Sequence, residues 1–214
     1  MPKTLGRTMS VKVKICGITN LDDALAAVEA GADALGFMFY EKSPRHISFK
    51  AAQDIIRRLP PFVAKVGVFV DSPEEAVRRG VEECGIDTLQ FHGGETPEFC
   101  RAFTPLKVYK AFRVQNLESL AALPDYQTDA WLLDGFAPDK LGGTGAKFNW
   151  DLAVEARKLG RPIILAGGLT PENVAHAVRQ VQPYGVDVSS GVESAPGKKD
   201  PAKVREFIVA AKRP

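Results

Sequence analysis

The chain has 214 residues and a mass of 23.2 kDa, with 45% hydrophobic and 25% charged side chains, the balance of an ordinary globular protein that needs no disulfide or metal staple. Its 28 basic and 26 acidic residues leave a net charge of +2, which removes the electrostatic case for nucleic acid or a membrane surface as partner. No apolar run approaches the ~18 residues of a membrane span. Cys16, Cys84 and Cys100 are too few and too scattered for a disulfide framework or a zinc site. The first ten residues lack the apolar centre of a secretory signal, so a cytoplasmic location is expected.

Residues 1–10 read as a flexible leader, with Met9 an alternative start. Beyond them, short runs rich in Val, Ile, Leu and Phe alternate with amphipathic stretches. That alternation predicts strands near 11–16, 34–39, 64–69, 86–91, 107–112, 130–134, 162–166 and 185–189. Helices are predicted near 21–30, 49–59, 73–83, 97–103, 117–123, 150–159, 171–181 and 201–211. Leu21, Ala24, Leu25 and Val28 form one apolar face at helical spacing, as do Val174, Ala177, Val178 and Val181. Helix starts are marked by Ser72-Pro73, Thr96-Pro97, Thr170-Pro171 and Asp200-Pro201, a capping residue followed by proline at the first helical position. Eight strand–helix units of about 25 residues each suit a closed (β/α)8 TIM barrel spanning 11–214 as a single domain. A dinucleotide-binding sheet fits poorly, because Ile15-Cys16-Gly17-Ile18-Thr19 is not the glycine-rich turn such a sheet carries after its first strand.

In a barrel of this kind the chemistry sits at the C-terminal ends of the strands, with phosphate commonly held after strands seven and eight. Alternation along the first strand turns Lys12, Lys14 and Cys16 inward and Val11, Val13 and Ile15 towards the helices. Cys16 therefore faces the mouth. The same parity points Asp134 inward with Ala130 and Leu132, which makes it a candidate acid or base. Arg45 lies in the loop after strand two, where a guanidinium fork suits a carboxylate. His92 ends strand four and can orient a substrate or carry protons. Gly167-Gly168 and Asp187-Val188-Ser189-Ser190-Gly191 end strands seven and eight, where bare backbone N–H groups and hydroxyls can cradle phosphate. Gly142-Gly143-Thr144-Gly145 lacks the third glycine of a dinucleotide fingerprint, and Gly191 to Lys199 fails the nucleotide P-loop in both spacing and last residue.

Lys14-Ile15-Cys16-Gly17-Ile18-Thr19, Ser43-Pro44-Arg45, Gln90-Phe91-His92-Gly93, Leu133-Asp134, Gly142 to Gly145, Ala166-Gly167-Gly168-Leu169 and Asp187 to Glu193 together resemble the phosphoribosylanthranilate isomerase family of tryptophan biosynthesis. The likeness spans nearly all of 11–211, departing at the leader and at Asn149, where the family pattern has Asp. It implies a cofactor-free Amadori rearrangement of a phosphoribosylated anthranilate, with Asp134 as general acid and Cys16 as general base. It further implies Arg45 on the anthranilate carboxylate, and Gly143, Gly168, Ser189, Ser190 and Gly191 on the phosphate, with Asp187 and His92 as further substrate contacts. The acid is the harder role to prepare. Keeping an ordinary Asp protonated at pH 7 costs about 4 kcal/mol, whereas ionising an ordinary thiol costs about 2 kcal/mol. Alternatives are a histidine-pathway isomerase of the same fold, against which Cys16 argues, and a non-catalytic phosphate-binding barrel. Oligomeric state stays open between monomer and homodimer.

Overall fold

The computed structural model describes residues 10–135 and 149–214. Eight parallel strands close into a ring in chain order: β1 (Lys12–Cys16), β2 (Ala34–Met38), β3 (Ala64–Phe69), β4 (Thr88–Phe91), β5 (Lys107–Val114), β6 (Ala130–Gly135), β7 (Ile163–Leu165) and β8 (Gly185–Val188). The ring closes where Lys12 to Ile15 pair with Gly185 to Val188. Helices α1 (Leu21–Glu29), α2 (Phe49–Ile56), α3 (Glu74–Cys84), α4 (Pro97–Arg101), α5 (Trp150–Arg157), α6 (Val174–Val181) and α7 (Pro201–Lys212) follow their strands. A short antiparallel hairpin, β9 (Glu193–Ala195) and β10 (Lys198–Lys199), precedes α7.

Strand parity sorts the core into two layers. Val13, Ile15, Leu35, Phe37, Leu89, Phe91 and Leu133 face outward and pack on the helices. Inside the ring, Ala111, Ala130, Leu132, Ile164 and Ala166 form a separate cluster against Tyr109. These inner side chains are mostly small because eight strands leave little room at the axis. At the N-terminal end, Asp33 accepts from Lys12 and Val13 N–H and pairs with Lys212 at 2.9 Å, tying β1, β2 and α7 together.

The strand positions agree with the sequence reading, and three helical expectations change. The stretch expected as a helix near 117–123 is two 3-10 turns, Leu117–Leu120 and Leu123–Asp125. Asn116 and Ser119 cap each other across the first turn, and Pro124, which has no N–H, stands at the start of the second. Pro73, not Ser72, occupies the cap position of α3, with ψ 150° and no side-chain cap bond. Thr170-Pro171 opens a turn, and α6 begins only at Val174. Asn173 shapes that turn by accepting from Thr170 N–H and donating to Gly168 O. Thr96 and Asp200 cap α4 and α7 as expected.

Candidate active site

A cavity opens at the C-terminal end of the ring. Cys16, Arg45, His92, Asp134, Gly168, Asp187, Ser189, Ser190 and Gly191 all line it, so nine of the ten site residues expected from the sequence converge there. The tenth, Gly143, lies outside the described residues, as does the whole Gly142 to Gly145 segment.

The order of strands sets the layout. Asp134 stands next to last in β6 and Cys16 ends β1, with β7 and β8 between them in the ring. The two glycine- and serine-bearing loops therefore sit between the carboxyl and the thiol. Both reactive side chains are buried yet reach the cavity. Burial pushes the Cys16 thiol up, and Lys14 and Lys199 work against that push while Asp187 adds to it.

Asp134 faces His92, whose Nε2 is 3.4 Å from Oδ2. Gln90 Nε2 lies 3.0 Å from His92 Nδ1, and a donating Gln90 fixes the imidazole proton on Nε2, on the side of the carboxylate. Gln90 Oε1 is buried and has no donor among the described residues. The loop carrying His92 is held from behind. Glu95 accepts from Asp71 N–H and Gly93 N–H at 2.9 Å each and pairs with the buried Lys110 at 3.3 Å, and Asp71 in turn accepts from Gly94 N–H.

Arg45 meets Glu193 in a bidentate fork, Nε to Oε1 at 2.8 Å and Nη2 to Oε2 at 2.7 Å. Its charge is secured by that contact, which raises its pKa further. One edge of the guanidinium is thus committed within the protein, and the Nη1 edge remains for an anion. Glu193 also accepts from Lys199 Nζ at 2.8 Å, and Lys199 donates to Ser189 O at 3.2 Å. Burial works against the charge on Glu193, and Arg45 and Lys199 outweigh it and hold its carboxyl below the usual range. The hairpin thereby links Arg45 to the serine loop.

The N–H groups of Gly168, Ser190 and Gly191 have no acceptor among the described residues. Gly167 and Gly168 have φ of +81° and +65°, which bends the β7 loop over the cavity. A β-carbon on Gly191 would stand 1.9 Å from Leu169 O, so the two loops touch backbone to backbone only because that residue is glycine. Unpaired N–H groups and serine hydroxyls in that arrangement can accept an anion.

Reading the sequence alone missed Glu193, Lys199, Gln90 and Arg113 as contributors. Arg113 pairs in register with Asp134 and lines the same cavity. Glu193 stood inside a quoted motif without a role, because its partner Arg45 is 148 positions away.

Comparison with known proteins identifies the family and the fold. The family model described as N-(5'phosphoribosyl)anthranilate (PRA) isomerase matches residues 13–210. An N-(5'-phosphoribosyl)anthranilate isomerase of Geobacter sp. (strain M21) is 59% identical over 202 residues, covering 94% of this chain and 98% of that protein. The crystal structure of phosphoribosyl anthranilate isomerase from Thermotoga maritima superposes with a TM-score of 0.90 at 46% identity, covering 94% of this chain and 98% of the other. A further isomerase structure, in complex with reduced 1-(o-carboxyphenylamino)-1-deoxyribulose 5-phosphate, gives a TM-score of 0.86 at 44% identity over the same shares of the two chains.

Proposed function

Because the chain belongs to the N-(5'-phosphoribosyl)anthranilate isomerase family, we propose that Asp134 and Cys16 are the acid and base of its reaction. That reaction, an Amadori rearrangement in L-tryptophan biosynthesis, converts N-(5-phosphoribosyl)anthranilate to 1-(o-carboxyphenylamino)-1-deoxyribulose 5-phosphate. One observation carries the assignment of roles. A carboxyl and a thiol flank a cradle of unpaired backbone donors at the mouth of one barrel.

In this reading the phosphate rests on the N–H groups of Gly168, Ser190 and Gly191 and on the hydroxyls of Ser189 and Ser190, with Gly143 as a further contact. The anthranilate carboxylate takes the free edge of Arg45. Anchored at both ends, the sugar spans from Asp134 to Cys16, and that fixed orientation supplies much of the catalysis. Asp134 protonates the furanose ring oxygen, the C1'–O bond breaks, and the nitrogen lone pair forms an iminium. The Cys16 thiolate then removes the C2' proton, the electron pair neutralises the iminium, and the resulting enolamine tautomerises to the ketone. His92 orients the Asp134 carboxyl. Gln90 Oε1 offers an acceptor to a sugar hydroxyl, and Asp187 a second. No helix among the described residues is long and apolar enough to cross a membrane. Three free cysteines fit a reducing compartment, and the cytoplasm is the proposed location.

The test generates the substrate in situ and follows loss of its anthranilate fluorescence in wild type, Cys16→Ala and Asp134→Asn. Losses of at least ~10²-fold in both folded variants are expected of general acid and base groups. Turnover surviving either substitution removes that residue from its role and leaves the isomerase activity in place.

A further inference from the structure

We propose that Lys14, anchored by Asp187, is the counter-ion that allows Cys16 to exist as a thiolate in the barrel mouth, a positioning residue for the base. The proposal rests on Cys16 being that base. Lys14 stands two residues before Cys16 on the same face of β1 and is 4% exposed. Filling the ring does not by itself call for a lysine, since the inner cluster on β5 to β7 is built from alanine, leucine and isoleucine. An ammonium so deeply buried is costly unless it is paired. Its carboxylate partner is Asp187, with Nζ 2.8 Å from Oδ1 across the β1–β8 seam.

Gly36 makes room for the arrangement. It pairs in register with Cys16. A β-carbon on Gly36 would lie 2.7 Å from the Cys16 sulfur and 3.1 Å from Lys14 Nζ, so the sulfur and the ammonium converge on one vacated space, less than about 6 Å apart. At that separation in a water-poor interior an opposite charge strongly favours the ionised thiol.

Four charged groups bear on the sulfur: Lys14 from β1, Asp187 from β8, Lys199 from β10 and Arg45 from the loop after β2. Lys199 and Arg45 share the single carboxylate of Glu193, which leaves that trio one positive charge, and Lys199 is the weakest of the influences on the sulfur. Asp187 alone would disfavour the thiolate. Lys14 is the nearest cation and the strongest opponent of burial, so its loss leaves the sulfur facing burial and a carboxylate with only the weaker pull of Lys199 against them. Burial works against the Lys14 charge, but Asp187 and Cys16 outweigh it and hold its pKa above the ordinary lysine range. It stays protonated throughout, so the C2' proton goes to sulfur and Lys14 carries none.

The experiment measures iodoacetamide alkylation of Cys16 against pH, resolved by peptide mass, in the full-length protein. Cys84 and Cys100, which burial pushes up to about 11, serve as internal references. In Lys14→Met the Cys16 midpoint should rise by at least one pH unit, an alkylation rate about tenfold lower at pH values below both midpoints. Lys14→Arg should restore most of the difference. Should Lys14→Met fail to fold with Asp187 left unpaired, Lys14→Met/Asp187→Asn removes both charges, and its midpoint should also rise, by less. A midpoint equal to wild type in a folded charge-removing variant overturns the proposal. Undiminished turnover in Cys16→Ala would instead overturn the assignment of the base, and the alkylation profile would still report on Lys14.

Discussion

Replacing Gly191 with alanine tests the phosphate cradle most directly. The new β-carbon would stand 1.9 Å from Leu169 O, 3.0 Å from Leu169 C and 3.2 Å from Val188 Cγ2. An ordinary carbon–oxygen contact is about 3.3 Å, so the β7 and β8 loops must part by roughly 1.4 Å. Leu169 O is backbone, and no side-chain rotation relieves the clash. A separation of that size takes the Ser190 and Gly191 N–H groups out of hydrogen-bond range of a phosphate held by Gly168. Losing one to two charge-assisted hydrogen bonds, at about 1.5–3 kcal/mol each, predicts a fall in kcat/KM of roughly 10²-fold. The fall should appear mainly as a higher KM, because phosphate binding is common to ground and transition states. Inhibition by inorganic phosphate should weaken in parallel. Overpacking should also lower unfolding stability by about 1–3 kcal/mol, so the assay is run well below the variant's Tm. Gly94→Ala is the control, since its β-carbon meets nothing closer than 3.5 Å. A folded Gly191→Ala enzyme with kcat/KM within threefold of wild type would refute the placement of phosphate on these loops.

Two further outcomes follow from the charges around the site. Since burial raises the Cys16 thiol and the base works as thiolate, kcat/KM should climb with pH, about tenfold per unit, until the thiol's pKa is passed. A rate independent of pH between 6 and 8 would exclude a thiol base for the proton abstraction, provided that step limits kcat/KM. Glu193→Gln breaks the fork to Arg45 and the ion pair to Lys199 and should cost roughly 3 kcal/mol of stability at neutral pH, read by urea unfolding. The Glu193 carboxyl is held below its unfolded pKa, so its contribution is complete above that pKa and is lost as pH falls through the folded value. The difference between wild type and variant should therefore shrink under acid, and a difference that persists there would locate its origin in packing.

Strand positions and facing were legible because both depend on local alternation. Lys14 and Cys16 share a face for the same reason that Val13 and Ile15 share the other, and β-sheet geometry leaves no third choice. Mouth residues at strand ends inherit their places from that parity. What the sequence hid was pairing across distance. Arg45 and Glu193 are 148 positions apart, and Lys14 and Asp187 are 173 apart. No local pattern marks such partners. The β9–β10 hairpin is too short to show alternation, and apart from Glu193, quoted in a motif without a role, its residues drew notice only as a failed P-loop. The 3-10 turns after β5 and the late start of α6 were missed because side chains of Asn116, Ser119 and Asn173 compete with helical backbone bonds.

The seam between β1 and β8 carries a consequence for how the molecule acquires activity. Until β8 has been made and has found its partner, β1 has an unpaired edge, and contacts spanning some 170 positions are slow to form. Cys16 stands on one side of the seam and Ser189 on the other. An intermediate with seven strands in place would bury most of the core and show most of the native secondary structure, yet have no assembled site. Recovery of turnover during refolding should therefore lag behind recovery of helical signal, and the lag times the closing of the ring.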